Sequence, residues 1–135
     1  MRKYYFAYGS NLNKDHMKFR CPDAKYVDSY ILKDYKLVFR SVADIEKAPG
    51  HEVHGAIYYI TPDCEKALNR YEGYPHLYTK EFFTYKGRDL MTYSMVDKDA
   101  EYPPNEGYFE TIFQGYQDWK LPVEALEKSL LNNNL

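Results

Sequence analysis

The segment KYYFAYGSNL, residues 3 to 12, sets the strongest limit on how this chain folds. Tyr4, Tyr5, Phe6 and Tyr8 crowd a run that is apolar on both faces and stops at Gly9. Such a run reads as a buried strand, so the start of the chain belongs inside a sheet. The abrupt change to Gly9-Ser10-Asn11-Leu12 has two readings. Local grammar favours a tight turn with Ser10 or Asn11 capping a helix over NLNKDHMKFRCP, with Pro22 as its stop. The other is a concave nest of backbone N–H groups, which binds a carboxylate or an oxyanion where glycine leaves room for close approach.

The rest of the chain alternates strand and helix signals without regularity. AKYVDSYILKDYKLVF is β-rich, with Tyr35, Leu37 and Phe39 at alternate positions. RSVADIEKAPGHE reads as a loop or a poor strand turning at Pro49-Gly50. EVHGAIYYI is a strand whose Gly55 marks close backbone approach or a bulge. TPDCEKALNRYEG carries helix grammar: Thr61 as N-cap, Pro62 at the first helical position, Asp63 and Glu65 in the first turn, Gly73 as stop. YTKEFFTYKG and RDLMTYSMV form a hairpin around Lys86-Gly87. PVEALEKSLLN is a closing helix, with Val123, Leu126 and Leu130 at helical spacing. Strands outnumber helices, which predicts an α+β fold with a strongly curved or closed mixed sheet. With 135 residues, no linker and no repeat, the chain is expected to form one domain over residues 1–135.

Charge and cysteine content narrow the function. Lys and Arg number 18 against 20 Asp and Glu, and this net charge of −2 argues against a nucleic-acid binder. No apolar run suits a membrane span or a signal peptide. Cys21 and Cys64 lack metal-ligand spacing, and two cysteines make no disulfide framework, so a soluble protein of the reducing cytoplasm is expected. The sixteen tyrosines suit half-buried strands and pocket walls.

Among chemical groups, the four histidines are scattered, and His51 and His54 point to opposite faces of a strand, so no metal site is expected. Ser10 lacks the Gly-x-Ser-x-Gly elbow, and nothing in the spacing favours a Cys21–His54 thiol pair. Glu72 stands apart. It ends an amphipathic helix, where the dipole disfavours a carboxylate, and sits among Tyr71, Tyr74 and Tyr78. Desolvation there would raise its pKa toward neutrality, as a general acid/base requires. Taken alone, a solvated glutamate at a helix end is the more common case.

Several stretches then act together. FAYGSNL, EVHGAIYYI, ALNRYEGYPHLY and PPNEGYFETIFQGYQDWKLP resemble, in order, the signature segments of the γ-glutamylcyclotransferase (AIG2-like) family. The resemblance implies a small mixed β-barrel flanked by helices, and an enzyme that cyclises the γ-glutamyl group of a small amide or peptide to 5-oxoproline. It implies Glu72 as general base and then acid. It also implies Tyr8, Gly9, Ser10, Asn11, Leu12, Tyr78 and Tyr108 as the substrate-binding set. No cofactor is required and the partner is the small γ-glutamyl substrate, while the leaving group and oligomeric state stay open. The alternative is a non-catalytic small-molecule or peptide-binding module on the same loop. Segment 115–122 and the last helix either cap the pocket or close the core.

Overall fold

The computed structural model describes residues 1 to 131. Its strands are β1 (Lys3–Ala7), β2 (Lys25–Arg40), β3 (Val42–Ile60), β4 (Tyr78–Tyr85) and β5 (Arg88–Met95). Its helices are α1 (Lys14–Arg20), α2 (Pro62–Glu72), α3 (Glu106–Asp118) and α4 (Val123–Leu131), with a 3-10 turn over Ser10–Leu12. Asn132, the expected end of the last helix, lies outside the described residues.

The sheet order is β2-β3-β1-β5-β4, with β1 antiparallel to β3 and parallel to β5. A central strand is covered on both faces, which is why Tyr5, Phe6 and Ala7 are all buried and the segment shows no polar alternation. The fold is α+β, as expected, but the sheet is not a closed barrel. No backbone ladder joins its edge strands β2 and β4. They meet through side chains instead. Tyr35 packs edge-on against Phe83, Tyr30 against Tyr85, and the Tyr35 hydroxyl donates to Glu81 at 3.0 Å. Aromatic contact completes what the hydrogen-bond ladder leaves open.

The region expected as a loop or a poor strand turning at Pro49-Gly50 is corrected. Residues 42–60 form one 19-residue strand, and the chain reverses at Ser41, not at Pro49-Gly50. Pairing jumps from Lys33↔Glu52 to Tyr35↔Lys47, so Asp34 alone faces four residues of β3. Pro49 therefore sits in an excursion where no ladder N–H is demanded of it. The Asp34 carboxylate accepts the Gly50 N–H at 3.0 Å and closes the gap.

Other elements follow the local chemistry. Thr61 accepts from the Cys64 N–H at 3.1 Å, Pro62 opens α2, and Gly73 ends it in the left-handed region at φ 64°. Lys86 and Gly87 both have positive φ, as the two-residue hairpin turn between β4 and β5 requires. A Cβ on Gly55 would lie 2.6 Å from the Phe6 ring, so this glycine leaves the room that Phe6 of the neighbouring β1 occupies. The cysteine reading is also corrected. Cys21, at the end of α1, is disulfide-bonded to Cys64 in the first turn of α2. Two cysteines 43 positions apart show no spacing signal for this, and the inference of free thiols in a reducing compartment loses its ground. The bond fastens α1 to α2, the helix that ends in Glu72. Among the described residues, no helix is long and apolar enough to cross a membrane.

Candidate active site

The chain leaves the centre of the sheet at Ala7 and enters the 3-10 turn through Gly9. The underside of this loop is held on every side. Tyr58 donates to the Asn11 carbonyl at 2.8 Å, and the Trp119 indole N–H to the Leu12 carbonyl at 3.1 Å. Asn13 caps α1 by accepting from the His16 N–H, and its amide reaches Thr111 O. Gly115 of α3 lets that helix approach, since a Cβ there would lie 2.6 Å from Leu12 Cβ. Segment 115–122 therefore closes the core beneath the loop, and α4 packs against α3 and β2: Tyr116, Leu121 and Leu126 are buried, and none of them borders the cup above.

The upper side of the loop is different. The N–H groups of Gly9, Ser10 and Asn11 have no internal acceptor among the described residues, and they border a cup. Its other walls are Tyr5, Tyr8, Ala43, Tyr78, Tyr93 and Tyr108, with Glu72 among them. A Cβ on Gly9 would stand 3.2 Å from Ala43 Cβ, so glycine keeps this wall from closing. Ala43 is gripped from both sides. Its N–H donates to the Tyr108 hydroxyl at 3.0 Å, and its carbonyl accepts from Tyr78 at 2.6 Å. The fully buried Asp44 beside it accepts from the Met95 N–H and from Lys98, which ties the start of β3 to the end of β5.

Glu72 is the last residue of α2, and the left-handed turn at Gly73 carries the chain away from it. Burial raises its carboxyl to about 7, against which the nearby Arg20 guanidinium pulls down. No protein group among the described residues donates a hydrogen bond to that carboxylate. The phenols around it stay protonated. Burial first, and the charge of Glu72 further, push Tyr5, Tyr8, Tyr78, Tyr93 and Tyr108 above the ordinary tyrosine value.

The cup thus gathers Glu72, Tyr8, Gly9, Ser10, Asn11, Tyr78 and Tyr108 from positions that span most of the chain. Leu12 is placed otherwise: fully buried, it anchors the loop from beneath. Tyr71 and Tyr74, expected to crowd Glu72, are exposed at the rim, where the Tyr71 and Ser10 hydroxyls share a hydrogen bond of 2.8 Å. Ser10 and Asn11 do not cap a helix; Asn13 does. Cys21 and His54 are not paired, since His54 Nε2 lies 3.0 Å from Glu52. Among the described residues, no three His, Cys, Asp or Glu side chains converge as a metal would need. Tyr5, Ala43, Tyr93 and Arg20 escape a sequence reading, because the β1–β5 pairing, the grip of Tyr108 and Tyr78 on Ala43, and the α1–α2 contact bring them here.

A family profile described as "Gamma-glutamyl cyclotransferase, AIG2-like" matches residues 5–120. The chain is 28% identical to the γ-glutamylcyclotransferase of Homo sapiens, over 92% of this chain and 75% of the relative. A solved structure described as γ-glutamyl cyclotransferase superposes with a TM-score of 0.82 at 27% identity, covering 96% of this chain and 86% of its own. YkqA from Bacillus subtilis superposes with a TM-score of 0.78 at 26% identity, covering 98% of this chain and 54% of that one.

Proposed function

The chain belongs to the γ-glutamyl cyclotransferase, AIG2-like family, and from that premise we propose that it cyclises a γ-glutamyl group to 5-oxoproline, with Glu72 moving the proton. One observation carries this reading: a carboxyl raised to about 7 faces unpartnered loop N–H groups across a tyrosine-walled cup. A group with that pKa takes and returns a proton near neutral pH.

In this reading the whole chain acts as one domain. The γ-glutamyl head lies against Tyr8, Gly9, Ser10 and Asn11, with Tyr78 and Tyr108 as walls and Leu12 fixing the loop from below. Ionised Glu72 takes a proton from the substrate's α-ammonium. The freed amine attacks the γ-carbonyl carbon and closes a five-membered ring, while the carbonyl π pair moves onto oxygen. As that pair returns, the C–N bond to the leaving group breaks, and Glu72 delivers its proton to the departing nitrogen. The ring nitrogen gives up its second proton to the released amine, which leaves as an ammonium. Loop N–H groups stabilise the transient oxyanion, a contribution of about 3–4 kcal/mol per donor in a well-formed hole. The ring closes within one bound molecule, so orientation supplies much of the rate and no covalent nucleophile is involved. The free room of about 20 Å³ holds about one water. A γ-glutamyl head is larger than that, so its entry requires the cup to widen.

The test is 5-oxoproline release from γ-glutamyl amino acids, γ-glutamyl amines and γ-glutamyl-ε-lysine, with Glu72→Gln as control. Turnover of one class by the wild type alone supports the reaction and identifies the leaving group. If nothing turns over while 5-oxoproline still binds, the loop serves a binding module and the catalytic reading is abandoned.

A further inference from the structure

Arg20, half-buried at the end of α1, donates from Nη1 to the Asn11 side chain, and its guanidinium carbon lies 3.4 Å from the centroid of the Tyr71 ring. A guanidinium has donors only, so the Asn11 atom facing it is the acceptor Oδ1. That choice settles the other end of the amide. Nδ2 faces the phenolic oxygen of Tyr5 at 2.9 Å and must donate to it. A phenol that accepts here keeps its own proton for another partner.

Most other phenols of the cup have spent theirs. Tyr8 donates to the Tyr93 carbonyl, Tyr78 to the Ala43 carbonyl, and Tyr93 to Asn69 Oδ1. Tyr108 accepts from the Ala43 N–H and stands by the Ser10 hydroxyl. Tyr5 is 3% exposed, lines the cup beside Glu72, and among the described residues donates to nothing. We propose that the Tyr5 O–H is a hydrogen-bond donor to the γ-carbonyl oxygen of the substrate, and that Arg20, acting through Asn11, is the positioning residue that aims it. This rests on the cyclisation reading above. Tyr5 keeps its proton throughout; it stabilises the electron pair that moves onto oxygen as the ring closes.

Asn11→Asp tests the relay without changing its shape. The ionised carboxylate of this variant only accepts, so it keeps Arg20 as donor and draws the Tyr5 proton away from the cup. On a substrate the wild type turns over, Tyr5→Phe is expected to lower kcat by about 10- to 1,000-fold. KM should stay within about threefold, because the lost contact belongs to the transition state. Asn11→Asp should lose about as much at its own pH plateau, where a shifted Glu72 titration no longer matters. In the Tyr5→Phe background it should cost little more, whereas a purely structural role would make the two losses multiply. Arg20→Met should follow the same non-additive pattern. Thermal melts verify folding, and Asn11→Asp decides the matter if Tyr5→Phe does not fold. Full activity in Tyr5→Phe, or multiplying losses, overturns the proposal while Glu72→Gln remains inactive. A wild type silent on every γ-glutamyl substrate overturns the cyclisation reading and this proposal with it.

Discussion

Two hollows in this molecule contrast in room and in chemistry. The larger, of about 390 Å³, lies between the excursion of β3 and α4 and is bordered by Lys36, His51, His54 and Lys128. The smaller is the cup beside Glu72, with room of about 20 Å³. The larger hollow has charge but little convergence. His54 is engaged with Glu52, Glu52 with Lys33, and the exposed Glu52 carboxyl is held below its ordinary value, first by its hydrogen bond and ion pair with Lys33. Such solvated pairs contribute little. In the cup, burial pushes a carboxylate and five phenols toward their protonated forms, while three loop N–H groups find no acceptor among the described residues. In the proposed reading, function lies in the buried polar cluster rather than in the larger volume, because burial strengthens the electrostatic interactions in it.

The contrast can be broken most sharply at Glu72. Glu72→Gln is expected to lower turnover by about 100- to 10,000-fold, and retained activity would remove the basis for preferring the small cup. The pH dependence comes next. As a base Glu72 must be ionised, so kcat/KM should rise with pH and level off above about 7. Stability runs the other way. The folded pKa lies above the ordinary value of 4.5, so the protonated group favours the fold below that value. This advantage is lost as pH rises through about 7. Glu72→Gln should therefore be more stable than the wild type above pH 7, by roughly 1–3 kcal/mol, in denaturant melts at pH 5 and 8. An identical difference at both pH values would show that the carboxyl is solvated.

Smaller effects sharpen the comparison. Gly9→Val places a branched side chain against Ala43, at a Cβ distance of 3.2 Å, and into the cup. Stability should fall by about 1–3 kcal/mol, while calorimetry should find 5-oxoproline binding lost. Unfolding in place of lost binding would make the loop structural only. Smallest of all, His51→Ala and Lys128→Ala alter exposed residues of the larger hollow and should leave turnover unchanged and stability within about 0.5 kcal/mol. A tenfold fall in rate from either would reverse the ranking of the two hollows.

Elements whose signals are local can be read from the residues alone. The apolar run before Gly9 specified a central strand. Thr61, Pro62 and Gly73 bounded α2, and Lys86-Gly87 closed the β4–β5 hairpin, because caps and turns are chemistry between near neighbours. Gly9 and Glu72 stand out in the same way, through their mismatch with ordinary strand and helix grammar. Tertiary structure decided whatever depends on distant partners. Pro49-Gly50 looks like a turn, yet Asp34 on the opposite strand absorbs it as an excursion. Cys21 and Cys64 carry no spacing signal, yet α1 packs against α2 and brings them into bonding range. The two edge strands close through Tyr30, Tyr35, Phe83 and Tyr85 rather than through backbone. Whether Glu72 is a solvated helix end or a carboxyl poised near 7 rests on desolvation by walls from β1, β3, β5 and α3, and on the opposing charge of Arg20. Desolvation is a property of the assembled environment, so residues adjacent in sequence, such as Tyr71 and Tyr74, could not supply it.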